Sequence, residues 1–295
     1  MKSVKSAVIA AGGFGSRLFP ATKSIAKPLI PILNKPTIHY ILEDCIQAGI
    51  EKIIIVKNPD DTSIENYFSR DPELENYLHQ KGKVGILNDF YQILDRCDFE
   101  FIPEDKSLPY GNARALCTVK DHLLNMPFVY MWSDVFYTGT KSTVQEAIKK
   151  FSEQSNTHGV LCASRVSEAE IPKKGIVKIK PGTSDEIEFI IEKPKLEEAP
   201  SNIGTSAPYV FSPEIFNYLD PHNVNARLGE LVVQDAISQM IENGLKFKIS
   251  FASGKYLTNG DPFNMFKSTV EVALTDPDIG QRAKEYLEQI NQTDS

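Results

Sequence analysis

The chain has 295 residues, of which 41% are hydrophobic and 24% are charged, and its formal net charge is −7. This composition allows a sizeable core, in one large α/β domain or a domain with an appendage. A broad nucleic-acid surface needs an excess of Lys and Arg, so a nucleic-acid partner is not expected.

The cysteines and the hydropathy pattern predict the cellular compartment of the protein. Four scattered cysteines form no CxxC pair, which is typical of reduced thiols in a cytosolic protein. No apolar run precedes the first predicted strand, so a secretory signal peptide is not expected. No apolar stretch approaches the length of a membrane span. We therefore predict a cytoplasmic protein with no membrane partner.

The first part of the chain alternates predicted strands with predicted helices. The strands are predicted at 4–11, 52–57, 99–103, 127–134 and 159–166. The helices are predicted at 37–48, 64–68, 73–80, 111–124 and 142–152. This alternation implies an α/β fold with a mainly parallel sheet covered by helices on both faces. In such a sheet, catalytic groups are expected at the carboxyl ends of the strands.

The pattern changes after residue 168. Shorter, alternating strands are predicted at 175–182, 186–194 and 207–216, which suggests an antiparallel or mixed portion of the sheet. The remaining predicted elements are helices at 228–243 and 262–274, a strand at 247–252, and a charged, helical tail from residue 281.

The segment AAGGFGSRLFPATKSIAKPLIP, residues 10–31, combines glycines with cations after the first predicted strand. These residues are Gly12, Gly13, Gly15, Arg17, Lys23 and Lys27. Glycines at a strand end let backbone N–H groups approach a phosphate, and the cations neutralise its charge. A bare turn would explain the glycines but not the cations. We therefore interpret the segment as a phosphate-binding loop.

Two familiar phosphate loops do not match this segment. A dinucleotide-binding fingerprint requires a third glycine, and Leu18 occupies that position. The second strand ends in Lys57 instead of the acid that would bind a ribose. A Walker A loop requires a G-K-[ST] ending, which is absent. The glycines alone leave open whether the phosphates belong to a retained cofactor or to a nucleotide that is consumed.

The stretch GGFGSRLFPATKSIAKPLIPILNKP resembles the signature of the sugar-1-phosphate nucleotidylyltransferases, G-x-G-[ST]-R followed by Pro and K-x-[LM]-x-P. The later stretches SIENYFSRDPELENYL, IEKPKLEEAPSNIG and YVFSPEIF are similar, in order and spacing, to the bacterial UTP–glucose-1-phosphate uridylyltransferase group of that family. The resemblance extends from residue 7 to about residue 272. Several separated motifs in the same order make it a specific signal.

This resemblance implies a fold, a reaction and partners. The implied fold is a Rossmann-like, mainly parallel (mixed) sheet flanked by helices, the glycosyltransferase-A-like nucleotidyltransferase fold. A catalytic domain at 1–275 would bind the nucleotide through about 1–140 and the sugar through about 141–260, with a helical tail at 276–295. The reaction transfers a nucleotidyl group from an NTP to a sugar 1-phosphate with Mg²⁺ and releases pyrophosphate. UTP and glucose 1-phosphate are the expected substrates, and a homo-oligomer, a dimer or tetramer, is expected.

The resemblance also implies roles for individual residues. The catalytic residues would be Arg17, Lys27, Asp134 and Lys193. The nucleotide would be bound by Ala11, Gly12, Gly13, Gly15, Glu104, Gly111 and Asn112. The sugar phosphate would be bound by Gly175, Glu192 and Lys193. The magnesium ion would be held by Asp134 and Asp261.

Two departures from the family pattern leave alternatives open. Relatives read the base with a Gln five residues before a Gly, and here Glu104 and Pro109 stand there. Glu accepts a hydrogen bond from a pyrimidine N3–H but cannot donate to a carbonyl, so guanine or cytosine would also suit it. Thr258 stands where relatives place the second metal carboxylate, and Asp261 is the expected substitute.

Three alternatives to the expected reaction are open. The first is the same reaction with another base or sugar, using GTP, CTP or dTTP. The second is a catalytically weak homologue that binds nucleotide sugars and regulates a partner, a hypothesis that Thr258 motivates. The third is a Rossmann dehydrogenase, which Leu18 opposes.

Overall fold

A computed structural model describes residues 3–123 and 125–293 of the chain. Its strands are β1 Ser6–Ala11, β2 Pro31–Ile32, β3 Lys35–Pro36, β4 Lys52–Lys57, β5 Asp98–Pro103, β6 Phe128–Trp132, β7 Val135–Thr138, β8 Thr157–Arg165, β9 Gly175–Ile179, β10 Ile187–Glu192, β11 Ile203–Phe211, β12 Lys246–Phe251 and β13 Lys255–Thr258. Its α-helices are α1 Thr37–Gln47, α2 Ser63–Phe68, α3 Pro72–Gln80, α4 Val84–Leu94, α5 Arg114–Val119, α6 Thr143–Ser152, α7 Val233–Glu242, α8 Pro262–Thr275 and α9 Gly280–Thr293.

The first half of the chain forms the parallel half of one large sheet. Strand β1 lies between β4 and β6, and β5 continues the sheet beyond β4, with all of these pairs parallel. Buried apolar residues dominate β1, β4 and β6, as expected for strands covered on both faces. The carboxyl ends of these strands meet at one edge of the sheet, where β1 leads into the glycine loop.

The second half of the chain forms a mixed extension centred on β11. One side of β11 pairs antiparallel with β8, which pairs parallel with β12. The other side pairs antiparallel with β6 at residues 209–211 and with β9 at residues 204 and 205, where β10 joins β9. The sheet therefore forks at β11. This fork brings β9 and β10 beside the carboxyl end of β6.

Helices cover both faces of the sheet and close two hydrophobic cores. Val8 of β1 packs into the core beneath α5 and α7. Its neighbours Ala7 and Ile9 pack into the core beneath α1 and α6. Successive side chains of a strand point to opposite faces, so one short strand contributes to both cores. The predicted α/β class with a mixed sheet flanked by helices is confirmed.

The predicted elements agree with the structure except in a few places. The predicted helix at 111–124 is shorter, since α5 is followed by a 3-10 turn at Lys120–His122, and residue 124 lies outside the described residues. Helix α4 and the short strands β2, β3, β7 and β13 were not predicted, and the strand predicted at 207–216 instead lies at Ile203–Phe211, followed by a 3-10 turn at Pro213–Asn217. Strands β7 and β13 pair with each other across more than a hundred residues, and such pairing leaves little local signal.

The predicted helix at 228–243 is wrong at its start. Gly229 has φ +66°, a left-handed conformation that interrupts a helix. The Leu231 N–H donates to the carbonyl of Tyr110 at 2.7 Å, and the Leu231 carbonyl accepts from the Ala113 N–H at 3.0 Å. These bonds to a distant loop replace helical ones, so α7 begins only at Val233. No helix in residues 3–123 and 125–293 is long and apolar enough to span a membrane.

Candidate active site

A cleft of about 370 Å³ opens at the carboxyl edge of the parallel strands, between the glycine loop and the β9–β10 arm. It brings together side chains and backbone from both halves of the chain. The predicted site residues along its wall are Gly12, Gly13, Arg17, Lys27, Glu104, Gly111, Asn112, Asp134, Gly175, Glu192 and Lys193. Residues separated by up to 181 positions in the sequence therefore line one cavity.

Three predicted residues lie outside this wall. Ala11 is the buried end of β1 and lines a neighbouring cleft with Thr22 and Asn58. Gly15 has φ +64°, and a Cβ there would lie 3.1 Å from Cβ of Lys27. Only glycine fits this turn without strain, so Gly15 acts on the loop's shape and on the position of Lys27. Asp261, the third, begins helix α8.

The glycine loop needs Gly12 because a carboxylate packs directly against it. A Cβ at Gly12 would lie 2.6 Å from Cδ of Glu104, closer than real side-chain atoms approach. Glu104 follows β5 and forms an ion pair with Arg114 at 3.1 Å, and the side chain of each is only 11% exposed. Arg114 also donates through Nε to the Pro109 carbonyl at 3.0 Å. Arg114 was not predicted as a site residue, although this cation follows Asn112 by two residues.

Gly111 and Asn112 shape the wall opposite the glycine loop. Gly111 has φ +152°, and a Cβ there would collide with the Leu231 carbonyl at 2.0 Å. The Asn112 amide donates to Gln234 Oε1 at 3.0 Å and accepts from the Val233 N–H at 2.8 Å. These bonds anchor the start of α7 to the loop that carries Asn112. The Asn112 side chain is therefore already committed to protein partners.

Lys27 and Asp134 form an ion pair at the centre of the cleft. The Lys27 ammonium contacts Oδ2 of Asp134, and both side chains are partly buried. Asp134 lies just beyond the end of β6, at the edge where parallel strands present functional groups. Its backbone is fixed from the other side, since its carbonyl accepts from the Asn259 N–H at 3.2 Å. Arg17 is exposed at the same edge.

Glu192 is a buried carboxylate at the other end of the cleft. Its Oε2 is shielded from solvent and has no hydrogen-bond partner among the described residues. Burial, together with the charges of Glu230 and Asp235, raises the pKa of Glu192 to about 7, while Lys193 and Arg227 oppose the shift. A buried acceptor without a partner is unfavourable, which points to a ligand that donates hydrogen bonds here.

The surroundings of Glu192 form a small pocket for a polar ligand. A Cβ at Gly175 would lie 3.0 Å from Oε2 of Glu192 and 2.9 Å from Oγ1 of Thr205, so only glycine leaves this space open. Lys193 follows with φ 47° and pairs with Glu230 at 2.9 Å. The carbonyl of Lys193 also accepts from Arg227 at 2.7 Å. Arg227 was not predicted as a site residue.

Lys174 lines the same cleft immediately before Gly175 and was also not identified from the sequence. Its ammonium lies 3.7 Å from the centre of the Tyr256 ring. Burial lowers the pKa of the Lys174 ammonium, and nearby acids, first Glu170 and then Asp134 and Glu192, partly offset this effect. In residues 3–123 and 125–293, its ammonium has no ion-pair or hydrogen-bond partner.

Asp261 caps helix α8 in this structure. Its Oδ1 accepts from the Asn264 N–H at 2.9 Å and its Oδ2 from the Asn264 side chain at 2.6 Å. Burial opposes ionisation of Asp261, but these hydrogen bonds outweigh it and lower its pKa. Thr258 Oγ1 accepts from the Gly260 N–H at 3.0 Å, so it too has a local partner.

The donor set around Asp134 fits only certain metal ions. In the part of the chain that the structure describes, no three His, Cys, Asp or Glu side chains converge on a common point. Mg²⁺ commonly takes one or two protein carboxylates and completes its shell with phosphate oxygens and waters. Asp134 therefore suits a magnesium ion that arrives with a polyphosphate, and not an ion enclosed by protein ligands alone.

Comparisons with known proteins agree with this arrangement. The model of the nucleotidyl transferase family matches residues 6–284, and the chain belongs to that family. The predicted family is therefore confirmed, and with it the class of enzyme, a nucleotidyltransferase.

Particular relatives are similar over their full lengths. The chain is 33% identical over 293 residues to a UTP–glucose-1-phosphate uridylyltransferase of Staphylococcus epidermidis, covering 99% of this chain and 100% of the relative. It is 32% identical over 292 residues to the enzyme of the same name from Bacillus subtilis, covering 98% and 97%. A solved UDP-glucose pyrophosphorylase from Acinetobacter baumannii superposes with a TM-score of 0.86 at 26% identity, covering 98% of this chain and 100% of that one.

Proposed function

We propose that the protein makes UDP-glucose and pyrophosphate from UTP and glucose 1-phosphate. One observation carries the proposal: a single cleft joins the glycine loop at one end to Glu192 Oε2, which has no partner among the described residues, at the other, with the Lys27–Asp134 pair between them. This arrangement suits a triphosphate and a hydroxyl-rich sugar phosphate that meet at Asp134. The full-length uridylyltransferase relatives support the same pair of substrates.

The reaction brings two polyanions together, so charge neutralisation and alignment are the main tasks of the protein. A phosphate oxygen of glucose 1-phosphate attacks the α-phosphorus of UTP, and the bond from that phosphorus to the bridging oxygen of the pyrophosphate breaks in line. Backbone N–H groups of Gly12 and Gly13 would bind the triphosphate. Arg17 and Lys27 would neutralise the charge that develops on the departing pyrophosphate.

Lys27 must change partners for this chemistry. Its ammonium pairs with Asp134 in the free protein. A bound triphosphate offers Lys27 oxygens of higher charge, which releases the Asp134 carboxylate toward a magnesium ion. When bound, that ion would supply charge neutralisation to the triphosphate and the leaving group. Asp261 would join it only by giving up hydrogen bonds from Asn264.

The Glu104–Arg114 pair supports reading of uracil. Glu104 alone accepts a hydrogen bond from the uracil N3–H but has nothing to donate to the flanking carbonyl oxygens. Arg114 supplies those donors 3.1 Å away, so the pair presents an acceptor beside donors. Guanine displays a matching pattern through N1–H, N2–H₂ and O6. GTP with the same sugar phosphate is therefore the second candidate, favoured by the same pair.

The sugar would occupy the pocket around Glu192. Sugar hydroxyls donate to its buried carboxylate, and the main chain at Gly175 leaves room for the ring. Lys193 would bind the phosphate of glucose 1-phosphate after exchanging its partner Glu230 for the more highly charged phosphate. We further propose the division into a nucleotide part at about 1–140, a sugar part at about 141–260 and a helical tail at 276–295.

The decisive experiment measures pyrophosphate release from UTP, GTP, CTP, dTTP and ATP, each with several sugar 1-phosphates, with and without Mg²⁺. We expect Mg²⁺-dependent release that is fastest with UTP and glucose 1-phosphate. Lys27→Met is the negative control, because we expect it to fold like the wild-type protein but to release no pyrophosphate. Faster release with GTP would replace UTP by the second candidate. Tight UDP-glucose binding without turnover in any pair would instead identify a regulatory homologue.

We also propose a cytoplasmic homo-oligomer, a dimer or tetramer. The cysteines Cys45, Cys97, Cys117 and Cys162 are all free thiols, which fits a reducing compartment. Phe263 and Phe266 on α8 are 71% and 62% exposed, and exposed aromatic side chains close together often mark an interface. Light scattering coupled to size-exclusion chromatography tests the assembly, and a monomer at micromolar concentration would contradict it.

A further inference from the structure

The Lys174 ammonium is a charged group that the chemistry described so far does not use. It faces the cleft, and in the described part of the chain it has only the Tyr256 ring as a close partner. By contrast, Lys27 and Lys193 in the same cleft each pair with a carboxylate. An ammonium that has lost much of its water without gaining an anion is unfavourable, so its position requires an explanation.

The backbone fixes Lys174 beside the sugar pocket. The Lys174 carbonyl accepts from the Lys193 N–H at 2.9 Å, which joins the start of β9 to the end of β10. A Cβ at Gly204 would lie 3.1 Å from Cδ of Lys174, so the side chain also packs along β11. Glu170, Asp134 and Glu192 all lie close enough for their charges to act on its ammonium, but none of them forms an ion pair with it. Lys174 therefore stands between the sugar end of the cleft and its centre.

That location is where the phosphate of a sugar 1-phosphate must lie. The phosphate is attached at the anomeric carbon, so it projects from the sugar pocket at Glu192 toward the attacked phosphorus near Asp134. Strand β13, whose Tyr256 contacts Lys174, carries no acidic side chain. Thr258 stands two residues after Tyr256 on this strand. A cationic side chain here suits a phosphate anion and needs no second carboxylate-bound metal ion.

We propose that Lys174 binds the phosphate group of the sugar 1-phosphate, as a second lysine beside Lys193. This inference rests on the proposed function for the identity of the substrate. The ring of Tyr256 holds the ammonium in the free protein through a cation–π contact, which keeps it oriented without neutralising it. The incoming phosphate then forms a charge-assisted hydrogen bond with an ammonium that has no competing carboxylate partner.

The test compares Lys174→Met and Lys174→Arg with the wild-type protein in steady-state kinetics. We expect Lys174→Met to raise the KM for glucose 1-phosphate roughly 10- to 100-fold, the value of one charged hydrogen bond, and to leave the KM for UTP within about 2-fold. Lys174→Arg should recover part of the loss because it keeps the charge. Lys178→Met is the matched control, since Lys178 lies on β9, which begins directly after Lys174, and pairs with Glu188 at 3.4 Å outside the cleft.

Other results would overturn the inference. An unchanged KM for glucose 1-phosphate in Lys174→Met would do so, as would equal increases in both KM values. Lys174→Gln repeats the test if methionine lowers the melting temperature. If the wild-type protein turns over no substrate pair, the proposed function fails, and calorimetry with glucose 1-phosphate and glucose then decides about Lys174. The Lys174→Met variant must bind glucose 1-phosphate more weakly than the wild-type protein does and must bind glucose equally well. Any other calorimetric result refutes the role of Lys174 in binding the phosphate.

Discussion

The two ends of the cleft differ in how their charges are balanced before any ligand binds. Toward the end proposed to bind the nucleotide (the nucleotide end), Lys27 pairs with Asp134 and Arg114 pairs with Glu104. At the end proposed to bind the sugar phosphate (the sugar end), the Glu192 Oε2 and the Lys174 ammonium each lack an ionic or hydrogen-bonding partner in the described residues. The nucleotide end must therefore exchange both pairs when its ligand arrives, whereas the sugar end exchanges only the Lys193–Glu230 pair and already presents Glu192 and Lys174 to its ligand.

This difference has an energetic consequence. Breaking an ion pair offsets part of the energy gained from a bound phosphate, so the nucleotide end favours ligands of high charge such as a metal-bound triphosphate. An unpaired buried group costs stability in the free protein, and that cost is recovered when a ligand satisfies it. The sugar end is thus expected to respond to pH, and the nucleotide end to the divalent cation. Substitutions at five positions, Asp134, Arg114, Glu104, Glu192 and Asp261, test this division.

Asp134→Asn should have the largest effect, because it removes the charge at the point where both substrates meet. We expect kcat/KM to fall roughly 1,000-fold, since several kcal/mol of charge stabilisation in the transition state depend on this carboxylate. Initial rates across a Mg²⁺ titration measure the loss. Asp121→Asn, an exposed acid in the turn after α5, is the control. A variant that keeps wild-type kcat/KM would remove Asp134 from the chemistry.

Arg114→Met breaks the ion pair at the nucleotide end and should raise the KM for UTP roughly 10- to 100-fold. The partner Glu104 is then a nearly buried, unpaired charge that repels the triphosphate. In the double variant with Glu104→Gln, the loss should be smaller than the sum of the single effects, because the two side chains act as a pair. Additive effects on ΔG would show that they bind the base independently. The KM for glucose 1-phosphate serves as an internal control.

Glu192 should make sugar binding depend on pH. Its pKa is raised to about 7 by burial, so the carboxylate that accepts sugar hydroxyls forms only as pH rises through that value. The charged groups that act on it are Lys193, Arg227, Glu230 and Asp235. We expect the KM for glucose 1-phosphate to fall roughly 10-fold between about pH 6 and pH 8. The substrate phosphate titrates near this range, so Glu192→Gln provides the reference profile without the carboxylate.

The raised pKa of Glu192 also affects the stability of the folded protein. As pH rises, we expect sugar binding to improve and the stability to fall. A carboxyl whose folded-state pKa lies above its unfolded value stabilises the protein fully at low pH, and that stability is lost as pH rises through about 7. Glu192→Gln should therefore raise the melting temperature relative to wild type at about pH 8 and have little effect at about pH 4. Identical melting temperatures at both pH values would argue against a buried, unsatisfied carboxyl.

Asp261 should have the smallest effect on catalysis. Asp261 caps α8, so Asp261→Ala should lower the free energy of unfolding by about 1 kcal/mol. Denaturant titration measures this change. Asp261→Asn keeps a good helix cap and removes the charge. Because the Asp261 carboxylate is bonded to Asn264 and not needed by the metal ion, this variant should keep the Mg²⁺ concentration for half-maximal rate within about 2-fold of wild type. A large shift in that concentration would instead make Asp261 the second metal carboxylate and place a second ligand at the nucleotide end.

Much of the molecule could be predicted from local patterns in the sequence. The strand at 52–57 and the helices at 37–48 and 262–274 agree with the structure to within one residue at either end. Continuous apolar runs and 3.6-residue periodicity identify such elements without knowledge of their partners. The predicted helix start at 228 failed because Leu231 bonds to the distant residues Tyr110 and Ala113, which no local pattern records.

The sequence by itself determined the class of fold and the family, and it predicted the phosphate-binding loop, because glycines, cations and their spacing are local properties of the chain. Only the tertiary structure decided which charges are paired. Arg114, ten residues from Glu104, became its partner through the turn after β5, and Lys174 remained without an anion because β9, β10 and β13 meet around it. Burial and ion pairing depend on neighbours that come from distant segments, so they emerge only when the sheet is assembled.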